Sequence, residues 1–578
     1  MKILLTAINS KYIHSNLAVY SLRAYANEYA KNIVIKEYTI NHQIDYILQE
    51  IYKNKPDVIA LSCYIWNVEY IKELIGELSK ILPQCPIWLG GPEVSYDAIS
   101  FLEKHTSVTG IMVGEGEKIF HQVVQYYVTK EIQINEITGI VYRNSEGNIV
   151  ENLGCEFLNM DEIPFVYKDL KEFENRIIYY ETSRGCPFSC SYCLSSIDKR
   201  VRFRSFELVK KELQFFLDNK VKQVKFVDRT FNCWHKHAIE IWTYIKEHDN
   251  DITNFHFEVS ADIINQEEIK LLSTLRPGLI QLEIGVQSTN AQTILEICRT
   301  MDFEKLSNIV IEINGKQNIH QHLDLIAGLP YEDFESFQTS FNQVYALEPE
   351  QLQMGFLKVL KGSKMYEKAQ EYELQYKNKP PYEVLSTKWL SYEDILELKA
   401  IEEMVEVYYN SGQFNNTIRH LVKNFENPFK FYKTLSCYYE GNGLNNRSHS
   451  RINQYDILLG FVKEYISEQV EFFRELLTYD LYLREKMKSR PLWANELGEY
   501  KEEIRNFYIK EEQTLEYLKD YEGYSYKQLA KMTHIECFKY NVKAKGEKGQ
   551  FFILFDYKKR NPLSNEAETQ FVPILGLV

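Results

Sequence analysis

Over roughly the first 130 residues, short apolar runs alternate with amphipathic stretches. Residues 2–8, 32–40, 57–64, 86–91 and 110–116 read as strands, and residues 17–29, 44–52, 68–82 and 117–127 carry apolar side chains at helical spacing. Strands and helices that alternate at these lengths predict a doubly wound α/β domain over residues 1–135, its parallel sheet covered on both faces. Ligands of such sheets bind beyond the carboxyl ends of the strands.

Residues 137–153 then predict a hairpin that turns at Asn144 to Gly147, within a connector at 136–170. A second alternating series follows, with strands at 176–183, 223–229, 254–260, 279–288, 319–328 and 352–359. Six strands with room for crossover helices predict a partial (β/α)6 barrel of the TIM type over residues 171–380, its chemistry at the carboxyl ends of the strands. Residues 381–578 become mostly α-helical and rich in Tyr, Phe, Glu and Lys, and close with strand-like runs at 537–544 and 549–560.

Composition agrees with several domains, since 578 residues, 45% of them hydrophobic, exceed what one core supports. A formal charge of -14 supplies no global field for nucleic acid, though a local basic patch stays open, so nucleic acid is neither indicated nor excluded. The start has one lysine and a short apolar run broken at once by polar residues, unlike a signal peptide. No stretch approaches the roughly 20 apolar residues that span a bilayer. The expectation is a cytoplasmic protein without a membrane partner. Of ten cysteines, three fall within residues 186–193, and in a reducing compartment such a cluster points to metal.

Those three, Cys186, Cys190 and Cys193, follow the first barrel strand with C-x3-C-x2-C spacing. Three thiolates from one loop can bind three irons of a four-iron cluster and leave the fourth open. Zinc is the alternative, with Cys233 or His235 as the nearest fourth ligand. Over residues 176–359 the sequence resembles the radical S-adenosylmethionine (SAM) superfamily, whose signature is C-x3-C-x-aromatic-C, here with Tyr192 as the aromatic. That resemblance implies a [4Fe-4S] cluster whose open iron chelates SAM and whose electron cleaves it to a 5'-deoxyadenosyl radical. It also implies an electron donor such as flavodoxin or ferredoxin, and SAM contacts from Tyr192, Asp228, Arg229, Glu258, Ser260, Glu283 and Gln287 at the strand ends. Each of these polar residues is equally readable as part of a structural ion pair. Gly328 and Pro330 match a turn that closes the family's fifth strand.

The strand ends of the first domain carry Asn9 and Ser10, then Ser62, Cys63 and Tyr64, then Gly90, Gly91, Pro92, Glu93 and Val94, then Gly114, Glu115 and Gly116. A dinucleotide motif fails, because G-x-G-x-x-G breaks at Ile119. As a set, with the stretch around His14, these segments resemble the Rossmann-like cobalamin-binding domain that precedes the barrel in cobalamin-dependent radical SAM proteins. The resemblance implies cobalamin contacts from all of these residues. No D-x-H-x-x-G motif occurs, so the lower face of cobalt is expected to be five-coordinate, water-bound, or met by a side chain such as His14 or Tyr64. His14 also reads as an ordinary polar loop residue.

The order of cobalamin domain, barrel and helical tail resembles a subgroup whose tail is a domain of unknown function. What it implies is an enzyme that methylates an unactivated carbon, with SAM, the cluster and methylcobalamin. Ring formation, rearrangement or methylthio transfer are alternatives within the same cofactor set, and a non-catalytic cobalamin and iron-sulfur redox sensor is the alternative outside it. The residues that touch the substrate, and the substrate itself, are not legible.

Overall fold

The computed structural model describes residues 1–154, 157–445, 447–544 and 546–574. The first sheet is built from β1 (Ile3–Asn9), β2 (Ile33–Thr39), β3 (Val58–Ser62), β4 (Ile87–Gly90), β5 (Gly110–Met112), β6 (Ile140–Arg143) and β7 (Ile149–Asn152). Its order is β2-β1-β3-β4-β5-β6-β7, with the first five strands parallel. Near-continuous apolar runs make the central strands: Leu4, Ile8, Ile59, Leu61 and Leu89 are at most 2% exposed and pack with Ile71, Leu74 and Ile75 of the helix Val68–Ile81. Burying each such side chain contributes about 1.5–3 kcal/mol. The order 2-1-3-4-5 reverses between β1 and β3, and the crevice above that reversal is where ligands of this topology sit.

Two features depart from the pattern read in the sequence. The hairpin expected as a connector extends the sheet instead, with β6 antiparallel to β5 and β7 to β6. Ile140, Val141 and Tyr142 of β6, on both faces of the strand, are at most 4% exposed, which commits the hairpin to the domain. The segment after β4 is a short helix, Pro92–Ser95, followed by another at Ala98–Lys104. Pro92 stands at the first helical position, where its missing N–H costs nothing.

The second sheet begins with β8 (Ile178–Tyr180). A small antiparallel pair, β9 (Ser183–Arg184) and β10 (Arg202–Phe203), interrupts it before β11 (Gln223–Phe226), β12 (Asn254–Val259), β13 (Ile280–Gln287), β14 (His320–Ala327) and β15 (Gln351–Phe356). The strand order is β15-β14-β13-β12-β11-β8, with β8, β11, β12 and β13 parallel, so this is an open, partial barrel. Alternation is clearest in β13, where Ile280, Leu282, Ile284 and Val286 are fully buried and Gln281, Glu283, Gly285 and Gln287 face the other side. A two-stranded pair, β16 (Gln375–Tyr376) and β17 (Val384–Ser386), follows.

By compactness the chain divides into two units, one of Met1–Ile319, Ile326–Phe334 and Gly355–Tyr392, the other of His320–Leu325, Glu335–Met354 and the chain from Glu393 on. The latter is mostly helical, and it closes with an antiparallel sheet of β18 (Thr533–Tyr540), β19 (Lys548–Arg560) and β20 (Ala567–Phe571). Within it, Asp480 accepts the backbone N–H of Asn416 and of Thr417 at 3.1 and 2.8 Å and so satisfies the start of the helix Asn415–Leu421. Among the described residues, no helix is long and apolar enough to cross a membrane.

Candidate functional site

The cysteine loop runs from β9 to β10 at the carboxyl end of β8. Gly185 opens it at φ +98, where an added Cβ would collide with the carbonyl oxygen of Arg200. Backbone hydrogen bonds fix its path: Cys186 N–H donates to Asp198 O (3.1 Å) and Cys193 N–H to Cys190 O (3.2 Å). Ser191 is gripped on both sides, its N–H donating to Ile297 O (2.8 Å) and its carbonyl accepting from Met365 N–H (2.9 Å). Cys186 and Cys190 are buried and Cys193 half-buried. Among the described residues no three metal-ligating side chains converge on one point as a single-ion site requires. A four-iron cluster takes one thiolate per iron, so its ligands need not converge.

The donor chemistry fits a cluster. Arg299 Nη1 stands 3.8 Å from Cys190 Sγ and 3.4 Å from the Tyr192 hydroxyl, while its Nη2 donates to Gly285 O. Burial pushes the Cys190 thiol up and the guanidinium opposes it, which favours the thiolate that iron binds. Arg299 was missed in the sequence, where nothing about an isolated arginine marks it.

The structure separates the residues expected to hold SAM. Asp228 is fully buried, and both its oxygens are engaged: Oδ1 accepts from the Thr182 and Ser183 hydroxyls (2.7 and 2.6 Å), Oδ2 from Thr182 N–H (3.0 Å). It braces the entry to the cysteine loop rather than facing a ligand. Ser260 is likewise buried, its hydroxyl donating to Asp262 (2.7 Å) and its backbone joined to Asn232. Glu283 pairs with Lys225 and His256, each at 2.9 Å. Burial raises its carboxyl, and those two partners more than offset this, bringing it down to about 2. Arg229, next to Asp228 beyond the end of β11, is exposed. Glu258 lies beside Glu283 in register. Gln287 holds φ +72, a left-handed backbone that is uncommon for a residue other than glycine and clusters at functional sites. Arg229 and Gln287 are thus the expected residues whose exposure or backbone geometry marks the strand ends, while Tyr192 lies in the cysteine loop against Arg299.

The residues expected to hold cobalamin also divide. Asn9 donates to Glu37 (2.8 Å) and to His14 O (3.1 Å), and Ser10 follows it. His14 Nδ1 lies 2.5 Å from the Tyr179 hydroxyl of β8, and burial, helped by Lys11 and Lys225, lowers its pKa. Cys63 is fully buried, its thiol pushed up by that burial and directed to Leu61 O (3.8 Å), and Val94 is core. Gly91, at φ +113, is required by the approach of Cys63, whose carbonyl oxygen an added Cβ would strike. Glu93 accepts from the Tyr382 hydroxyl (2.8 Å), and burial raises its carboxyl. Gly114 adopts φ +94, and an added Cβ at Gly116 would press on Leu22.

What remains around the crevice is a cradle. The rings of Tyr64 and Trp66 stack 4.5 Å apart within 5° of parallel, with the Trp66 indole N–H fixed on Ile8 O (2.9 Å). Trp66 is 39% exposed; Tyr12, in the loop after β1, is exposed too and lies against the Arg176 guanidinium (5.5 Å). Ser62 Oγ is buried with no hydrogen-bond partner among the described residues. Exposed flat side chains and an orphaned hydroxyl at the β1/β3 reversal fit a large planar ligand with a polar tail. Trp66 and Tyr12 are missed in the sequence, where nothing separates them from other aromatic residues near strand ends.

Ion pairs tie this domain to the barrel within the same compact unit, Lys361 with Asp97 (2.5 Å) among them. Arg176 reaches Glu37 (2.5 Å), Arg202 meets Glu115, and Arg184 meets Glu117 (2.9 Å) while also holding Glu181 (2.7 Å). Burial raises the Glu117 carboxyl and Arg184 outweighs it, leaving Glu117 below the ordinary carboxylate range. Glu115 is thereby occupied inside the protein.

Sequence profiles of known families match three segments: the B12 binding domain at residues 3–124, the Radical SAM superfamily at 180–344, and a protein of unknown function, DUF4080, at 370–555. The cobalamin-dependent radical SAM methyltransferase TokK of Streptomyces tokunonensis is 25% identical over 309 residues, 49% of this chain and 44% of that protein. An uncharacterized methyltransferase, PH0819, of Pyrococcus horikoshii is 26% identical over 336 residues, 56% of this chain and 71% of that protein. The chain thus spans less than half the length of TokK. Among solved structures, the cobalamin-dependent SAM radical enzyme OxsB with aqua-cobalamin and SAM bound superposes with a TM-score of 0.56 at 17% identity, covering 82% of this chain and 78% of that one. The radical SAM methyltransferase TsrM of Kitasatospora setae superposes at 0.54 and 16% identity, covering 66% and 80%. At these identities the likeness establishes the fold.

Proposed function

We propose that this chain, a radical SAM protein with a B12 binding domain ahead of its barrel and a DUF4080 region behind it, is a cobalamin-dependent enzyme that moves a methyl group from SAM to an unactivated carbon. When bound, a [4Fe-4S] cluster with SAM supplies a 5'-deoxyadenosyl radical and cobalamin a methyl carrier. Cys186, Cys190 and Cys193 would hold the cluster, with Arg299 balancing its charge and Asp228 bracing its loop. Arg229, Glu258 and Gln287 would take the polar groups of SAM. Tyr64, Trp66 and Tyr12 would take the face of the corrin, and the orphaned Ser62 hydroxyl its tail. A flavodoxin or ferredoxin would deliver the electron.

One observation carries this reading. The cysteine loop and the aromatic crevice belong to one compact unit, pinned by the pairs of Glu37, Glu115 and Glu117 with Arg176, Arg202 and Arg184. Group transfer between two cofactors requires reacting atoms held at near contact, about 3–3.5 Å, and a joint braced by ion pairs between the two domains supports that reading. Similarity to TokK, named a methyltransferase, and to a hopanoid C-3 methylase supports methyl transfer.

The test is to reconstitute the protein anaerobically with iron, sulfide and cobalamin, then incubate it with cell extract and methyl-labelled SAM. Label carried into an extract compound on a carbon–carbon bond, and not by a Cys186→Ala/Cys190→Ala/Cys193→Ala variant, supports the proposal. SAM consumption that moves no label overturns it.

A further inference from the structure

The carboxyl-terminal unit contains a cavity of about 740 Å³, within the size range of sites for single organic ligands. Two helices and the start of β18 form its walls. Along the helix Lys501–Thr514, the lining residues Lys501, Ile504, Arg505 and Tyr508 follow i, i+3, i+4, i+7 and so share one face. Along the helix Tyr526–Met532, Tyr526, Lys527, Ala530 and Lys531 share another. Cations therefore interleave with apolar and aromatic side chains on both walls, and Leu497 and Ile535 extend the apolar part.

The charge balance is unusual. The whole chain carries 81 acidic against 67 basic residues, yet no Asp or Glu lines this cavity. Two of its cations are spent within the protein: Arg490 pairs with Glu536 (2.8 Å from Nη1), and Lys486 Nζ donates to Thr533 O (2.9 Å). The others, Lys501, Arg505, Lys527 and Lys531, make no ion pair or hydrogen bond among the described residues. Lys501 with Arg505 and Lys527 with Lys531 are like-charge neighbours at i, i+4, an arrangement that disfavours each helix by itself. The Arg505 guanidinium and the Lys527 ammonium flank the Tyr526 ring at 6.0 and 5.9 Å. Repulsion that the fold leaves unrelieved is relieved by an anion, and an aromatic wall beside it suits a flat or apolar body.

We propose that this cavity binds an organic phosphate ester, with the doubly charged head among Lys501, Arg505, Lys527 and Lys531 and its body against Tyr508, Tyr526 and Ile504. Four unpaired cations exceed what a single carboxylate would balance, which favours the phosphate. The assignment stands independently of the methyl-transfer reading.

Isothermal titration of the full-length protein tests it with four probes: phenyl phosphate, inorganic phosphate, benzoate and a single-stranded RNA. Phenyl phosphate should bind at least about tenfold more tightly than inorganic phosphate or benzoate, and more weakly as salt rises from about 50 to about 300 mM. A Lys501→Glu/Lys527→Glu variant should lose at least about tenfold in that affinity with an unchanged melting temperature. If the charge reversal disturbs folding, Lys501→Ala/Lys527→Ala with the same readout decides. Failure of phenyl phosphate to bind, tighter binding of benzoate, binding that both variants keep, or an RNA that binds through these lysines while phenyl phosphate does not would each overturn the proposal.

Discussion

Arg299 Nη1 lies 3.8 Å from Cys190 Sγ, although 109 residues separate the two in sequence. A fixed cation beside one of three thiolates raises the potential at which a cluster accepts an electron, because the added negative charge is met by a positive one already in place.

Arg299→Met should therefore lower the cluster's reduction potential. At an effective dielectric near 20 the lost interaction is about 1–3 kcal/mol, or roughly 50–150 mV for one electron. Arg299→Lys keeps the charge and should recover most of that shift, even though the bond to Gly285 O changes. A redox titration followed by electron paramagnetic resonance measures it, and equal potentials in the wild type and the Met variant would show that Arg299 acts only in packing.

Asp228 supplies a pH signature. Burial pushes its carboxyl up to about 6 from 3.8, despite the three hydrogen bonds it accepts. The folded state thus holds this proton more tightly than the unfolded one, so the contribution is fully present below the unfolded value, falls as pH rises through about 4 to 6, and is absent above. About 2–3 kcal/mol is at stake. Urea unfolding across that window should show this downward slope in the wild type relative to Asp228→Asn, and identical slopes would contradict it. Asp480, also pushed up to about 6, is common to both proteins and cancels in the difference.

How much of this was legible in the sequence follows from what each signal measures. Apolar periodicity records which side of an element is buried, so the strands of both sheets and the helices between them stand close to where the pattern put them. The spacing of Cys186, Cys190 and Cys193 lies within one loop and needs no tertiary partner to be seen. Partners distant in the chain leave no such trace: Glu115 and Glu117 meet Arg202 and Arg184 at separations of 87 and 67 residues, and a glycine–glutamate run at a strand end looks the same whether it faces a ligand or an arginine. Asp228 looked like a ligand contact for the same reason. The strand β20, with the sequence AETQF, lacks apolar alternation and is defined only by its pairing with β19.

The joint between the two domains should be costly to break. Glu117→Gln leaves Arg184 with one carboxylate fewer in a mostly buried network, and a loss of about 2–4 kcal/mol is expected near neutral pH. Because the Glu117 carboxyl is held below its ordinary range, the wild-type advantage should persist above that range and shrink as pH falls through it. Chemical denaturation at neutral and acid pH checks both, and a variant as stable as the wild type near pH 7 would contradict the buried clamp.

Trp66 should matter to the larger cofactor and not to the fold. Trp66 is 39% exposed, and Trp66→Ala removes a flat face of the crevice while leaving the core intact. Losing a stacking surface worth about 1–2 kcal/mol should weaken cobalamin retention roughly 5- to 30-fold, with iron content unchanged. Equilibrium dialysis against aqua-cobalamin reads this directly, and undiminished retention would move the corrin elsewhere.

The central claim is that the thiols of Cys186, Cys190 and Cys193 and the crevice beside Trp66 serve one reaction. It is tested most directly by mass spectrometry of the reconstituted, reduced protein incubated with trideuteromethyl SAM. The expected result is 5'-deoxyadenosine together with trideuteromethyl cobalamin, both absent when the three cysteines are replaced by alanine. Neither product from a protein that retains a full cluster and bound cobalamin would contradict the account.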